Sequence, residues 1–417
     1  MRTNAATKPA VEVVNFGCRV NLVEGEALRQ AVLAEGHDNL TIVNSCAVTA
    51  EAARQVRQTI RRLKREAPER RIVVTGCGAQ IDPASFAAMP EVDRVVGTLE
   101  KIEADAFAPH RENRVAVSDV FARKTANLPS LAGIEEHTRA FLAVQTGCDH
   151  RCSFCIIPFG RGASRSMQLT QLREAVAGCL DKGVAEIVLT GVDLTAYGKD
   201  LLGVPSLADA LRHVLDAAPD LPRLRLSSID CIETDRDFFN LMASESRLMP
   251  HLHLSLQSGD DLILKRMKRR HSRADAVEFC AALRRARPDI VFGADLIAGF
   301  PTETDAMFEN TLALVEDCGL THLHVFPFSP RPGTPAARMP QLAPMLIKER
   351  AARLREAGVK ALSRHLDAQI GRRLTLLTER GGIARAEDFT KVRIDDIAPG
   401  RIVERIPTSH DGETLRV

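Results

Sequence analysis

Short apolar segments that end at small or polar residues alternate with amphipathic helical segments along most of this chain of 417 residues. In the first third, such segments lie near residues 11–16, 40–44 and 72–75, and helical patterns follow the first two. Strands that alternate with helices predict a parallel sheet with helices on its faces. We therefore expect an N-terminal parallel α/β domain over residues 1–135.

The middle of the chain repeats the same alternation. Six further strands are predicted near residues 141–145, 186–190, 223–227, 251–255, 290–296 and 321–325. Six strand–helix units are too few to close an eight-stranded barrel. We expect residues 136–368 to form a partial (βα)6 barrel that binds its ligands at the carboxyl ends of the strands.

The last segment, residues 369–417, has a different pattern. Short alternating runs are separated by turn dipeptides such as Pro399-Gly400 and Asp411-Gly412. Short strands at this spacing predict a small β-barrel as a third domain.

Three cysteines lie close together in the loop that follows the first strand of the middle region. Cys148, Cys152 and Cys155 are spaced C-x3-C-x2-C. Thiolates are soft ligands that select iron–sulfur clusters, zinc or copper(I). A four-iron cluster held by only three thiolates leaves one iron open to a substrate or cofactor. A structural zinc loop or a set of buried thiols is the alternative.

A second set of three cysteines is spread over the N-terminal region. Cys18, Cys46 and Cys77 each follow the end of a predicted strand, at intervals of one strand–helix unit. Because parallel strands end at the same edge of a sheet, these cysteines are expected to converge there. They predict a second three-thiolate cluster site, and three unrelated buried cysteines are the alternative.

The other four cysteines are interpreted differently. Buried free cysteines are common and inert, and this is our interpretation of Cys179, Cys231, Cys280 and Cys318.

The chain contains no run of 18 apolar residues, so we expect no membrane span. Its beginning lacks the apolar core of a signal peptide, so we expect a cytoplasmic protein whose cysteines are ligands or buried thiols.

Two basic runs suggest contacts with phosphate, although the net charge is only +2. Eight basic residues lie between Arg54 and Arg71, and a second run spans residues 265–273. Such runs suit nucleic-acid phosphates, and a solvated helix face is the alternative. Tryptophan is absent and Tyr197 is the only tyrosine, so any stacking on a base must use Phe, His or Arg.

The Cys148–Cys155 loop resembles the signature of the radical S-adenosylmethionine (radical SAM) enzymes, with Phe154 at its aromatic position. The resemblance implies that Cys148, Cys152 and Cys155 hold a 4Fe–4S cluster whose open iron binds SAM. Three residues at the ends of the predicted strands are then candidates for contacts with SAM or substrate, namely Gly191, Gln257 and Asp295.

The order of three N-terminal cysteines, this loop and a short tail like a TRAM domain resembles the methylthiotransferase family. Strings at residues 43–49, 189–192 and 324–329 are most similar to the branch that acts on threonylcarbamoyladenosine in tRNA. Two positions depart from the pattern. Gly78 stands where an aromatic residue is common, and Asp230-Cys231 where Glu-Pro is common.

The resemblance implies a tRNA-modifying enzyme with two 4Fe–4S clusters, one of them at Cys18, Cys46 and Cys77. One SAM methylates a sulfur at that auxiliary cluster, and a second SAM yields a 5′-deoxyadenosyl radical that activates carbon 2 of the adenine. We expect a monomer that takes electrons from flavodoxin or ferredoxin. The alternatives are methylthiolation of isopentenyladenosine in tRNA or of a ribosomal-protein aspartate, and a non-catalytic iron–sulfur RNA-binding or redox-sensing protein.

Overall fold

A computed structural model describes residues 10–108, 113–123, 128, 138–395 and 397–417. The chain folds into two compact units that do not follow its linear order. The first contains the described residues up to 128 together with Thr146–His150 and Cys155–Arg165. The second contains the described residues of 130–145 together with Arg151–Phe154 and Ser166–Val417.

The first unit is built on a five-stranded, fully parallel sheet in the order β1-β2-β3-β4-β5. Its strands are β1 (Val11–Asn15), β2 (Leu40–Ser45), β3 (Arg71–Thr75), β4 (Arg94–Val96) and β5 (Val115–Ala116). Its helices are α1 (Arg19–Ala34), α2 (Ala50–Glu66), α3 (Gly76–Ile81), α4 (Pro83–Ala87) and α5 (Ile157–Arg161), with 3₁₀ turns at Glu100–Ile102 and Ala104–Phe107.

Successive strand residues point to opposite faces of this sheet, so both faces are buried. Ile42 packs with Leu28 and Val32 of α1, whereas Val43 packs with Val56 and Ile60 of α2. The predicted parallel α/β fold is confirmed. Strands β4 and β5 were not predicted, because segments of three and two residues are too short to show a pattern.

The second unit contains the predicted six strand–helix units. The parallel strands form two sheets, in the orders β6-β9-β10 and β11-β12-β13-β14. The strands of this part are β6 (Arg139–Ala143), β9 (Glu186–Thr190), β10 (Arg223–Leu226), β11 (Ser228–Ile229), β12 (His251–Gln257), β13 (Val291–Ala298) and β14 (Leu320–Pro327). Two short strands, β7 (Gln145–Thr146) and β8 (Arg165–Ser166), each have one residue in either unit. The third predicted strand is split into β10 and β11 at Ser227.

Helices follow these strands as expected for βα units. They are α6 (Leu169–Leu180), α7 (Leu207–Ala217), α8 (Arg236–Ser244), α9 (Asp261–Met267), α10 (Arg273–Ala286), α11 (Asp305–Asp317) and the long α12 (Pro344–Gln369), with 3₁₀ turns at Leu194–Ala196, Cys231–Glu233 and Pro335–Arg338. Ser206 and Ser272 cap α7 and α10 by accepting a backbone N–H three residues later. Among the described residues, no helix combines the length and apolar composition that a membrane crossing requires.

The C-terminal residues of the second unit form a six-stranded mixed sheet, in the order β18-β15-β16-β17-β20-β19. The strands are β15 (Leu374–Glu379), β16 (Ile383–Ala386), β17 (Lys391–Arg393), β18 (Ile402–Arg405), β19 (Ser409–His410) and β20 (Leu415–Arg416). In the described residues this sheet stays open. The small closed barrel that the sequence predicted is therefore not formed there. Arg223 of β10 anchors it by donating to the carbonyl oxygens of Thr375 and Arg385, at 2.8 and 3.1 Å.

Candidate functional site

The N-terminal cysteines lie at the carboxyl ends of three neighbouring parallel strands. Cys18 directly precedes α1 shortly after β1, Cys46 follows β2 directly, and Cys77 is the second residue of α3 just after β3. The strands are in register, with Asn44 paired to both Asn15 and Thr75. The topology therefore brings residues from three distant parts of the sequence to one edge of the sheet.

Glycines create the space that these cysteines occupy. Gly17 has a φ of +91°, and a Cβ on it would lie 2.7 Å from the Sγ of Cys46. Gly78, one of the departures from the family pattern, fits closely against Ser45, because an added Cβ would lie 2.8 Å from the Ser45 Oγ. That hydroxyl accepts the N–H of Ala79 at 3.0 Å. A larger residue at 78 would displace this contact.

The three thiols influence one another electrostatically. Burial raises the pKa of the Cys46 thiol to about 11; the backbone N–H of Val48 opposes this shift, whereas Cys77 and Cys18 add to it. Burial also raises the pKa of Cys77, and the positive charge of Arg161 opposes it. The neutral forms of Cys46 and Cys77 are therefore favoured without a metal, and binding of an iron cluster must displace their protons. The donor set fits a cationic iron site.

A buried ionic network lies beside these thiols, and the sequence did not reveal it. Arg161 is 1% exposed and forms a bidentate pair with Glu24, with both Nη–Oε distances at 2.9 Å. Lys101 donates to the same carboxylate at 2.7 Å, and Asn21 accepts from Arg161 at 2.5 Å. Two cations share one carboxylate, so the network carries a net positive charge that suits a site holding thiolates.

Replacing Glu24 with glutamine is expected to destabilise the first unit by about 3–5 kcal/mol at pH 7, because Arg161 and Lys101 would remain buried without their counter-charge. Burial alone raises the pKa of Glu24, but Arg161 and Lys101 outweigh it and lower the pKa to about 2. The stabilising effect is therefore complete above the ordinary value of 4.5 and is lost as the pH falls towards about 2.

Chemical denaturation of the two proteins at several pH values measures this difference. Glu51→Gln is the matched control, since its carboxylate pairs with Arg54 on the exposed surface of α2, where an ion pair adds little. An equal effect of both substitutions would contradict a special role for the buried network.

Part of the Cys148–Cys155 loop folds with the first unit. The Cys148 N–H donates to the Gly162 carbonyl at 3.1 Å, and the Ser164 N–H donates to Asp149 at 3.0 Å. After Cys155, Ile156 packs with Ala47 and Cys77. A Cβ on Gly160 would lie 3.0 Å from the Cβ of Cys77. Residues 155–165 are thus packed directly against the edge where the N-terminal cysteines converge.

The remaining part of the loop belongs to the second unit. The Ser153 N–H donates to the Met267 carbonyl at 3.0 Å, and its Oγ donates to the Arg266 carbonyl at 2.7 Å. Phe154 packs against an apolar cluster that includes Ile297 and Phe300. These contacts fix the backbone around Cys152.

Arg269 contacts Cys152 and is a candidate functional residue that sequence reasoning missed. Its Nη1 lies 3.8 Å from the Cys152 Sγ, and its Nη2 donates to Asp230 at 2.8 Å and to the Ser255 carbonyl at 2.6 Å. Its side chain is only 8% exposed. Asp230, the second departure from the family pattern, also accepts from Arg270 at 2.9 Å. This aspartate holds a buried cation next to a cysteine of the loop.

Two of the predicted contacts to SAM or substrate, Gly191 and Gln257, lie at strand ends of the second unit, whereas Asp295 lies within β13, because this strand extends to Ala298. Gly191 follows β9, and a Cβ on it would lie 2.9 Å from the Gln145 Oε1, which accepts the N–H groups of Val192 and Asp193. Gln257 ends β12 with a φ of +70°, a left-handed conformation that is uncommon outside glycine and often marks functional sites.

Asp295 on β13 accepts hydrogen bonds from two histidines. The distances from its Oδ1 are 2.9 Å to the His253 Nε2 and 3.1 Å to the His324 Nδ1. Burial alone raises the pKa of Asp295, but these two hydrogen bonds outweigh it and lower the pKa to about 2. The group is therefore a carboxylate at neutral pH.

The basic runs are only partly available for phosphate. Helix α2 ends at Glu66, so Arg70 and Arg71 lie outside it, and Arg70 is buried with a hydrogen bond to the Leu40 carbonyl. Arg61, Arg62 and Arg65 remain exposed on α2. In the second run, Arg266, Arg269, Arg270 and Arg273 all bind other groups of the protein.

The four helical or strand-end cysteines interpreted as buried thiols are indeed buried, namely Cys179, Cys231, Cys280 and Cys318.

Comparisons with known families agree with this geometry. The Radical SAM superfamily matches residues 142–315, and the uncharacterized protein family UPF0004 matches residues 10–97. A threonylcarbamoyladenosine tRNA methylthiotransferase MtaB of Rickettsia prowazekii (strain Madrid E) is 47% identical over 392 residues, which is 94% of this chain and 93% of the relative. The chain belongs to the radical SAM methylthiotransferase family.

Other relatives of this methylthiotransferase are more distant. An MtaB of Thermotoga maritima is 37% identical over 88% of this chain and 86% of the relative. A tRNA-2-methylthio-N(6)-dimethylallyladenosine synthase of Cereibacter sphaeroides is 33% identical over 97% of this chain and 98% of the relative. Membership of the family confirms that the protein is an enzyme, and the radical SAM fold implies a 4Fe–4S cluster and SAM.

Solved structures support the fold. The radical SAM methyltransferase TsrM of Kitasatospora setae, with tryptophan and a SAM analog bound, matches with a TM-score of 0.56 and 16% identity. The match covers 79% of this methylthiotransferase and 75% of TsrM. At this identity, the likeness concerns the fold alone.

Proposed function

We propose that this enzyme inserts a methylthio group at carbon 2 of threonylcarbamoyladenosine next to the anticodon of tRNA. The observation that carries the proposal is the 47% identity, over 94% of the chain, with a relative named for that reaction. Methylthiolation of dimethylallyladenosine is the second candidate, because a relative named for it matches 97% of the chain at 33% identity.

In this proposal Cys148, Cys152 and Cys155 hold the cluster that binds SAM. When bound, this cluster supplies the electron that cleaves SAM and so provides a radical able to attack an unreactive C–H bond. Arg269 places a buried positive charge 3.8 Å from the Cys152 Sγ, where it offsets part of the negative charge that a thiolate-bound cluster brings. Phe154, Gly191, Gln257 and Asp295 remain the proposed contacts to SAM or substrate.

Cys18, Cys46 and Cys77 hold the second cluster in this proposal, which carries the sulfur to be transferred. Support comes from their convergence at one sheet edge and from the net positive network of Arg161, Glu24 and Lys101 beside them. We assign this role to residues 1–135, SAM chemistry to residues 136–368 and RNA binding by a short TRAM-like module to residues 369–417. We further propose a cytoplasmic monomer reduced by flavodoxin or ferredoxin.

Expression in a bacterial strain that makes threonylcarbamoyladenosine but lacks its own enzyme for this methylthiolation tests the proposal. Mass spectrometry of digested tRNA is expected to show the methylthio derivative of threonylcarbamoyladenosine. Product on dimethylallyladenosine alone would replace the proposal with the second candidate.

Charge reversal of Arg61 and Arg62 is expected to weaken tRNA binding. Both side chains are exposed on α2, and each lost phosphate contact should reduce the slope of log affinity against log salt by about one. Binding titrations at several salt concentrations measure the slope. Arg285→Glu is the matched control on the exposed face of α10, where Arg285 pairs with Glu278. An unchanged slope would show that α2 is a solvated face.

A further inference from the structure

The sheet of β11–β14 has one face covered by a helix. Leu323 on β14 lies against Gly358 of α12, where an added Cβ would lie 3.1 Å from the leucine side chain. Leu323 pairs with Ala294, which pairs with Leu254. These neighbours mark the covered face, so alternate residues on the same strands point to the opposite face.

The opposite face carries a polar triad of His253, Asp295 and His324. Both imidazoles donate to the same carboxylate oxygen, and their ring centroids are 4.3 Å apart. Asp295 engages the Nε2 of His253 and the Nδ1 of His324. The other nitrogen of each ring therefore points away from the carboxylate. The His324 side chain is 63% exposed, whereas that of His253 is only 10% exposed. One end of the triad is thus open to a ligand and the other end is anchored.

An exposed aromatic ring lies beside the triad on the edge strand. Phe326 is two residues beyond His324 on β14, is 38% exposed, and pairs with Ile297. Ile297 belongs to the apolar cluster against which Phe154 of the cysteine loop packs. Since two residues of a strand span about 7 Å, the triad lies one side-chain layer further from the carboxyl ends of β13 and β14 than Ile297 and Phe326.

This arrangement suits a flat base that carries a polar substituent. Phenylalanine offers a face for stacking, and the only tyrosine, Tyr197, is buried with its hydroxyl donating to the Met167 carbonyl. The triad offers imidazole nitrogens and a carboxylate oxygen one layer away. A hydrocarbon substituent placed there would cover the outward ring nitrogen of His324, the nitrogen that does not engage Asp295, without offering it a hydrogen bond, which is unfavourable.

We propose that Phe326 stacks on the target adenine and that the His253–Asp295–His324 triad hydrogen-bonds to its polar N6 substituent. The inference rests on the proposed function, because the threonylcarbamoyl group carries a carboxylate, a hydroxyl and urea N–H groups. His324 contacts the substituent, and Asp295 acts as a positioning residue that orients both imidazoles. The triad thereby selects threonylcarbamoyladenosine over dimethylallyladenosine.

The test uses the full chain with reconstituted clusters and anticodon stem-loop RNAs carrying threonylcarbamoyladenosine, dimethylallyladenosine or adenosine. His324→Leu is expected to reduce the preference for the threonylcarbamoyl RNA over adenosine RNA by about tenfold to a hundredfold in Kd. His324→Gln keeps a polar group at the exposed position and is expected to retain more of the preference. Phe326→Leu is expected to weaken binding of all three RNAs by about tenfold.

The control is His410→Leu, because His410 also pairs with an aspartate, Asp367, at 2.9 Å. It is expected to leave the preference at the wild-type value. An unchanged preference in His324→Leu, together with wild-type turnover of the threonylcarbamoyl RNA, would overturn the triad inference alone. Wild-type turnover of only the dimethylallyl RNA would overturn the proposed function, and it would overturn the inference with it.

Discussion

Replacing Cys152 with alanine is expected to abolish cleavage of SAM to 5′-deoxyadenosine. The protein supplies only three thiolate ligands to the proposed cluster. Without Cys152 only two remain, and a cluster held by two thiolates is expected to be labile. Cys152 is held by the second unit, where Arg269 approaches its Sγ and Ser153 is fixed to the Met267 carbonyl. None of the contacts described for Cys18, Cys46 and Cys77 involves it.

Iron content and 5′-deoxyadenosine formation measure the outcome. Iron per chain is expected to fall by about half, because one of two 4Fe–4S clusters is lost. Cys179→Ala is the matched control, since Cys179 is fully buried in α6, and it is expected to keep both clusters and SAM cleavage. Loss of all iron from Cys152→Ala would argue against two independent cluster sites.

The positions of the six candidate cluster cysteines relative to the strands were predictable from the sequence. The apolar segments of β1, β2 and β3 are long enough to show their pattern, and parallel strands must end at a common edge. Convergence of Cys18, Cys46 and Cys77 therefore follows from local pattern and topology alone. Their role as cluster ligands remains a prediction.

The buried cations could not be predicted in the same way. Arg161 pairs with Glu24, which lies 137 residues earlier in the chain, and Arg269 pairs with Asp230 from another βα unit. An arginine in a basic run has the same local signature whether it is solvated or buried in an ion pair. The second run was therefore interpreted as suited to phosphate contacts, with a solvated helix face as the alternative, whereas its arginines mainly bind protein groups.

The polar triad did leave a signal in the sequence. His251 and His253 alternate with leucines in β12, which is the pattern of a strand with one apolar and one polar face. The short strands β16 and β19 were not predicted. The strands predicted near them, β15, β17, β18 and β20, are present, but they form an open mixed sheet.

Substitution of Cys46 by alanine is expected to separate the two chemical steps, with SAM cleavage retained and methylthiolation lost. Of the three N-terminal cysteines, Cys46 is the best choice, because its close neighbours are Gly17 and the backbone N–H groups of Ala47 and Val48. Cys77 instead packs against Ile156 and Gly160, next to Cys155. Its substitution would disturb the segment that carries a ligand of the other proposed cluster.

The assay reconstitutes Cys46→Ala and measures 5′-deoxyadenosine and methylthiolated nucleoside in the same reaction. In the proposed mechanism, formation of 5′-deoxyadenosine needs only the site of Cys148, Cys152 and Cys155. The yield of 5′-deoxyadenosine is therefore expected to stay within about twofold of the wild type, which is a smaller change than the tenfold effect of ~1.4 kcal/mol in the activation free energy. Cys318→Ala, a buried cysteine of the second unit, is the matched control and should form both products. Methylthiolated product from Cys46→Ala would mean that the sheet edge of the first unit does not carry the transferred sulfur. Loss of both products would mean that the two cysteine sets depend on each other through the packing of residues 155–165 on that edge.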